Sequence, residues 1–358
     1  MEVGIVGLPV SGKTTLFSTL SGQAAVGQAG GKVDVHRGVV KVPDERLDRL
    51  SEIFRPKKTT HAAIEYIEVG GMEREAASAK GFDPQFLHTL KNTAALCVMI
   101  RAFENEFHPH PSGNVDVNRD IRTVETEFLL SDLSIVENRI ERLEKQILKS
   151  KEEVSVRELD LLKRCREFLE SEKALREMQF SEEEELMVRG FQFLSAKPLI
   201  FVINIDEKEI KREAEILSRI PEKPHVKVIA LCAKVEQEIS QLAEADRAMF
   251  LEDLGIAEPA LPKLIHSSYD LLGLISFFTV GETECHAWTI KQGTHAQKAA
   301  GEIHTDLERG FIRAEVVHYD EFMKWGSMAK CREHGALRLE GKQYPVKDGD
   351  IMTIRFNV

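Results

Sequence analysis

The sequence predicts an α/β protein: a doubly wound, mostly parallel sheet, interrupted by an antiparallel helical hairpin and followed by a small α+β domain. Three observations predict it. Short apolar runs alternate with polar, helix-like stretches through the first hundred residues and return at 199–231, as expected where helices connect parallel strands. Between them, 116–190 is heavily charged, lacks proline and carries apolar residues at spacings of four and three, the narrow seam of a coiled coil. Beyond Pro262 the texture changes again, to short strands around one helix.

Each element has its reason. Val3–Val6 reads as a buried strand, followed by a Gly-rich turn and a helix around Thr14–Leu20. Val39–Val42, Ala62–Ile67, Ala94–Ile100, Leu199–Ile203 and Val226–Leu231 read as further buried strands, rich in Val, Ile and Ala. In the insert, Leu129, Leu133, Val136, Ile140, Leu143 and Ile147 form the seam of one helix. The polar stretch Lys149-Ser150-Lys151-Glu152-Glu153 turns the chain, and Leu161, Cys165, Phe168 and Leu175 continue the register on a second helix. Glutamates 182–185 read as a solvated helix face. Toward the end, Phe277–Val280, Ala287–Ile290, Phe311–Val317 and Ile351–Phe356 read as strands, with a helix near Ala296–Glu308 and a turn at Lys347-Asp348-Gly349-Asp350. The expected domains are 1–115 with 196–275, the inserted hairpin 116–195, and a third domain at 276–358.

Length and composition narrow the function classes. A chain of 358 residues exceeds one ordinary core. No run of eighteen apolar residues is present, so no membrane span is expected. The opening Met1-Glu2-Val3-Gly4 lacks the basic region of a signal peptide. Cysteines at 97, 165, 232, 285 and 331 form no C-x-x-C pair, which points to a reducing compartment, the cytoplasm, without zinc or disulfides. A net charge of −11 excludes wholesale polyanion binding, so a nucleic-acid contact needs a local patch. Residues 276–358 hold eleven Lys/Arg against twelve Asp/Glu, whereas 116–195 hold fourteen against twenty. RNA therefore meets the C-terminal domain more easily, at Lys324, Lys330, Arg332, Arg338 and Lys342; an ordinary mixed surface is the other reading. Neither DNA nor a membrane is an expected partner.

The sharpest signal is Gly7-Leu8-Pro9-Val10-Ser11-Gly12-Lys13-Thr14, which fits G-x-x-x-x-G-K-[ST] between a strand and a helix. Glycines let the loop wrap so that main-chain N–H groups face phosphate oxygens, and the helix N-terminus adds positive potential. Lys13 is expected to bridge the β- and γ-phosphates and Thr14 to ligate Mg²⁺, with Thr15 completing the phosphate-binding set. The expected ligand is ATP, GTP or both. Base-reading loops should follow later strands at the carboxyl edge of the sheet. There, Asn204-Ile205-Asp206-Glu207 forms N-x-x-E where guanine-specific enzymes carry N-K-x-D, and Cys232-Ala233-Lys234 stands in place of S-A-K. With Glu207 one methylene longer than aspartate, guanine preference is weakened and adenine fits.

These features together resemble the Obg-like ATPase family, the YchF branch of the P-loop GTPase class. Val42-Pro43-Asp44-Glu45-Arg46-Leu47, Gly335-Ala336-Leu337-Arg338-Leu339-Glu340-Gly341-Lys342 and the ending Asp348-Gly349-Asp350 to Phe356-Asn357-Val358 are also family-like. The resemblance spans nearly the whole chain. It implies ATP binding and hydrolysis, a C-terminal TGS domain, and association with ribosomes through the TGS-like and helical domains. It also marks departures. Val10-Ser11 replace the usual Asn-Val, Glu68-Val69-Gly70-Gly71 stands for D-x-A-G, and the switch-loop threonine aligns with Lys32 in the glycine-rich segment Gly27–Gly31. Glu68 can still hold a metal-bound water. The water-orienting glutamine of Ras-like enzymes is Met72 here; the resemblance passes that role to a histidine in His108-Pro109-His110-Pro111-Ser112-Gly113, with His110 the better aligned. A solvent-exposed loop histidine is the other reading of His110.

The expectation is thus a slow NTP phosphohydrolase acting as a ribosome-associated switch. A nucleotide-binding scaffold that has lost hydrolysis is the alternative. A small-molecule kinase would need an Arg-bearing lid and an acceptor pocket, for which the sequence offers no constellation.

Overall fold

A computed structural model describes residues 1–22, 35–70, 82–150 and 152–357. Lys32, Met72, Gly71 and the segment Gly27–Gly31 lie outside the described residues. The chain divides into two compact units, residues 1–38 with 65–264 and residues 39–64 with 265–358.

The strands are β1 (Glu2–Gly7), β2 (Val35–Lys41), β3 (Lys58–Thr60), β4 (Ala63–Val69), β5 (Ala95–Ala102), β6 (Leu199–Ile205), β7 (Val226–Leu231), β8 (Leu274–Thr279), β9 (Glu284–Lys291), β10 (Phe311–His318), β11 (Arg338–Glu340) and β12 (Asp350–Phe356). One six-stranded sheet has the order β2-β4-β1-β5-β6-β7. Within it β4, β1, β5, β6 and β7 run parallel to one another. β6 is buried at every residue and β5 at all but its last, because helices cover both faces of a parallel sheet. The expected doubly wound class is the class observed.

The helices include α1 (Lys13–Ser21), α2 (Glu45–Phe54), α3 (Pro84–Lys91), α4 (Val117–Ile147), α5 (Glu153–Glu170), α6 (Glu182–Arg189), α7 (Glu213–Leu217) and α8 (Ala233–Gln241). Helices α4 and α5 form the hairpin. Asp116 starts α4 by accepting a hydrogen bond from the Arg119 N–H at 3.0 Å. Val136, Ile140 and Leu143 bury against Leu162, Cys165 and Leu169, and Arg139 donates twice to Glu158, at 2.7 and 2.8 Å. At its root Asp132 accepts from the backbone N–H groups of Leu194 and Ser195, at 3.0 and 2.7 Å. One detail differs from the expected register. Leu175 lies beyond the end of α5, in the 3-10 turn Leu175–Glu177, yet still packs into the seam cluster. Glu182, Glu183 and Glu185 are exposed in the first turn of α6, while Glu184 closes a capping box with Ser181 and pairs with Arg164.

In the second unit the sheet order is β11-β10-β12-β8-β9-β3. Its hairpins are antiparallel, with β12 parallel to β8. The helix Ala296–Ile303 presents Ala296, Ala299 and Ala300 to Phe277, Val316 and Met352; alanines let helix and sheet approach closely. The single helix expected over 296–308 is broken at His304, which takes an extended conformation and caps the short helix Thr305–Arg309 through its Nδ1. In the same unit Arg46, on α2, reaches both Asp44 and Asp348. No helix among the described residues is long and apolar enough to cross a membrane.

Candidate functional site

β1 ends at Gly7, and residues 8–12 turn the chain into α1 at the carboxyl edge of the first sheet, where open α/β sheets bind ligands. Two glycines are required there by space. A Cβ on Gly7 would lie 2.4 Å from the Met99 carbonyl oxygen, and one on Gly12 would lie 2.4 Å from Asn204 Nδ2. Gly12 also carries φ 99° as the residue that starts α1. Val10 carries φ 58°, a left-handed conformation that costs an L-residue about 1–2 kcal/mol and is rare for a β-branched one. Lys13 Nζ donates to the carbonyl oxygens of Gly7 at 2.9 Å and Leu8 at 3.0 Å, folding the ammonium over its own loop. A cavity of about 300 Å³ opens here, lined by every residue from Val10 to Thr15 and by Arg101, Phe103, Asn105 and His108. Leu8 and Pro9 are half-buried in the loop.

At the other side of the loop the Thr14 hydroxyl donates to Glu68 Oε1 at 2.6 Å, and His36 Nδ1 lies 3.0 Å from Glu68 Oε2. Glu68 is buried at the end of β4. A hydroxyl and a carboxylate side by side are hard oxygen donors of the kind Mg²⁺ takes, with phosphate and water oxygens filling the rest of its shell. No group of three or more His, Cys, Asp or Glu among the described residues could hold a metal unaided. The donor set therefore fits a metal that arrives with phosphate.

Asn204 ties the loops together. Its Nδ2 donates to the Ser11 carbonyl oxygen at 2.9 Å and its Oδ1 accepts from the Ala233 N–H at 3.0 Å. The N-x-x-E and Cys-Ala-Lys segments thus meet the phosphate loop through one buried amide. Glu207 opens the 3-10 turn Glu207–Arg212, and Lys234 Nζ lies 3.8 Å from its carboxylate in an exposed pair. Cys232 is buried just before α8, and burial pushes its thiol pKa up.

His110 is not a solvent-exposed loop residue. It is 5% exposed, its Nδ1 accepts from the Ser112 N–H at 3.1 Å, and its Nε2 lies 2.8 Å from Asp120 Oδ2. It is absent from the lining of the phosphate-loop cavity, which takes His108 instead. Three residues around the site were not singled out from the sequence: His36, Asp120 and Arg101. Only Arg101 had a usable signal, a charge placed directly after the apolar run Ala94–Ile100.

A family model named YchF-GTPase_C, described as a protein of unknown function, matches residues 274–357. The chain is 42% identical to the ribosome-binding ATPase YchF of Bacillus subtilis, covering 100% of both. It is 38% identical to the ribosome-binding ATPase YchF of Escherichia coli O157:H7, covering 100% of this chain and 99% of the relative. Its structure matches that of the Schizosaccharomyces pombe YchF GTPase with a TM-score of 0.86 at 28% identity, over 99% of this chain and 97% of that one. The chain belongs to the YchF family. A GTP-binding protein from Pyrococcus horikoshii OT3 shares the fold at a TM-score of 0.58 and 20% identity, with 100% of each chain covered. The family and fold class expected from the sequence therefore both stand.

Proposed function

We propose that this chain is a nucleoside-triphosphate-binding switch that hydrolyses ATP or GTP slowly and associates with ribosomes in the cytoplasm. The observation that carries the reading is the cradle itself. An ammonium group, a glycine admitting no side chain and a helix N-terminus converge on one cavity, and Asn204 joins it to the base-reading segments. In this reading Lys13 leaves the Gly7 and Leu8 carbonyls to neutralise the β- and γ-phosphates, and the loop amides hold them in line. Thr14 and Glu68 would hold Mg²⁺, which when bound offsets charge on the transferred phosphoryl oxygens. Asn204, Glu207, Cys232, Ala233 and Lys234 frame the base, and the longer Glu207 weakens guanine preference and admits adenine. The names of the relatives support ATP turnover and ribosome binding. The inserted hairpin at 116–195 and the TGS-like domain at 276–358 are the proposed ribosome-facing domains. In the latter, Arg332 and Arg338 already pair with Glu315 and Glu340, while Lys324 lies over the Trp325 ring.

A second reading, a nucleotide-binding scaffold without turnover, draws on His110, which faces Asp120 rather than the cavity. Single-turnover assays with ATP and GTP in Mg²⁺ separate the two. Cleavage of the γ-phosphate above buffer, lost in Lys13→Ala, supports the switch; binding without cleavage of either nucleotide supports the scaffold. Co-sedimentation with ribosomes across a salt series tests the partner. Absence from the pellet at every salt and nucleotide state contradicts it.

A further inference from the structure

Arg101 stands at the carboxyl edge of the first sheet. Gly7 is in register with Met99 of β5, so Arg101 lies two residues past the point where β1 becomes the phosphate loop. On its other side it is in register with Asn204, the residue that holds the Ser11 carbonyl. Its guanidinium is permanently charged, and the residue is 2% exposed. A charge so deeply buried calls for compensation. Among the described residues no carboxylate pairs with it. Nε donates to the Phe103 carbonyl at 2.9 Å, Nη1 donates to the His108 carbonyl at 2.8 Å, and the Phe103 ring lies 4.7 Å from Cζ. Nη2 is buried with no hydrogen-bond partner among the described residues. Two carbonyls therefore fix the planar group and leave one donor over, and Arg101 lines the same cavity as Val10 to Thr15.

We propose that Arg101 is a phosphate-binding residue of this site, its Nη2 donating to a polyphosphate oxygen of the bound nucleotide. The proposal rests on the nucleotide-binding function proposed for this chain. It differs from a structural role, in which Arg101 only anchors residues 103–108, in one measurable respect: a phosphate contact depends on the number of phosphates and is blind to the base. A guanidinium is suited to the task because its fork matches oxyanion geometry and such charge-assisted bonds are strong.

The test titrates ATP, GTP, ADP and AMP into the full-length parent, Arg101→Gln and Arg101→Lys, with thermal unfolding of each ligand-free protein. Arg101→Gln is expected to lose about tenfold to a hundredfold in ATP affinity, the same factor for GTP, and progressively less for ADP and AMP. Arg101→Lys keeps a charge and donors for the two carbonyls, so its loss should be smaller with the same dependence on phosphate number. If Arg101→Gln does not fold, the Lys variant decides by that dependence. Folded variants that bind ATP within about twofold of the parent, or that lose equally for ATP and AMP, overturn the proposal while nucleotide binding stands. A parent that binds neither ATP nor GTP overturns both.

Discussion

The phosphate-loop end of the first sheet and the root of the inserted hairpin treat buried polar groups differently. At the root of the hairpin the charges close on partners: Asp132 takes two backbone N–H groups, and Glu125 takes Arg176 at 3.0 Å and Lys223 at 2.6 Å. Arg176 Nε alone of that cluster is left over. Around the loop, Ser11 Oγ, His36 Nε2 and Arg101 Nη2 are all buried without partners among the described residues, and Val10 is held in a left-handed conformation. Native structures rarely leave such groups unmet, and backbone strain concentrates where a ligand will bind. At the hairpin root both carboxylates are met within the protein, although Arg166 Nε and Asp120 Oδ2 on its helices are buried without hydrogen-bond partners among the described residues. In our proposal the loop is a site that a ligand completes.

That contrast can be broken first in the hairpin. Leu143 is fully buried in the seam, so Leu143→Ala should cost about 2–5 kcal/mol in urea unfolding without altering the ATP affinity of the folded protein. A matching loss of affinity would show that the two regions are coupled. Next is Asp132, whose carboxyl burial pushes up to about 6, against hydrogen bonds from Ser195 and Leu194 that lower it. An unfolded aspartate titrates near ~3.9. Between those values the folded state binds the proton and the unfolded state does not, so stability falls as pH rises from about 4 through about 6, by about 3 kcal/mol. Urea unfolding across that window should show this slope in the parent relative to Asp132→Asn; parallel curves would remove Asp132 from the account.

Smaller effects belong to the loop. Gly12→Ala places a methyl 2.4 Å from Asn204 Nδ2 at φ 99°. It should cost about 1–3 kcal/mol of stability and weaken ATP binding as well, read by titration; unchanged affinity would detach Asn204 from the site. Val10→Asn relieves a left-handed valine with a residue that tolerates the conformation, and should raise stability by about 1 kcal/mol. A fall in melting temperature would show that Val10 makes contacts worth more than its strain.

Much of this was readable from the chain. Parallel strands buried on both faces appear as unbroken apolar runs, which is why β5 and β6 stand out. The heptad seam and the glycines of the phosphate loop are equally legible, since each follows from a fixed geometric demand. What escaped is short, polar or remote. β3 and β11 have three residues each and no hydrophobic pattern, and the helix break at His304 depends on a side-chain cap. The partners Thr14–Glu68–His36 and His110–Asp120 are brought together only by the tertiary fold, so no local pattern announces them.

The central claim is that the loop from Gly7 to Thr14 grips a nucleotide by its phosphates. Calorimetric titration of ATP into the parent and into Lys13→Ala, in Mg²⁺, tests it most directly. The account predicts saturable binding by the parent and at least about a hundredfold weaker binding by the variant, the loss of a buried charge-assisted contact. No binding by the parent, or equal affinity in the two proteins, would contradict it.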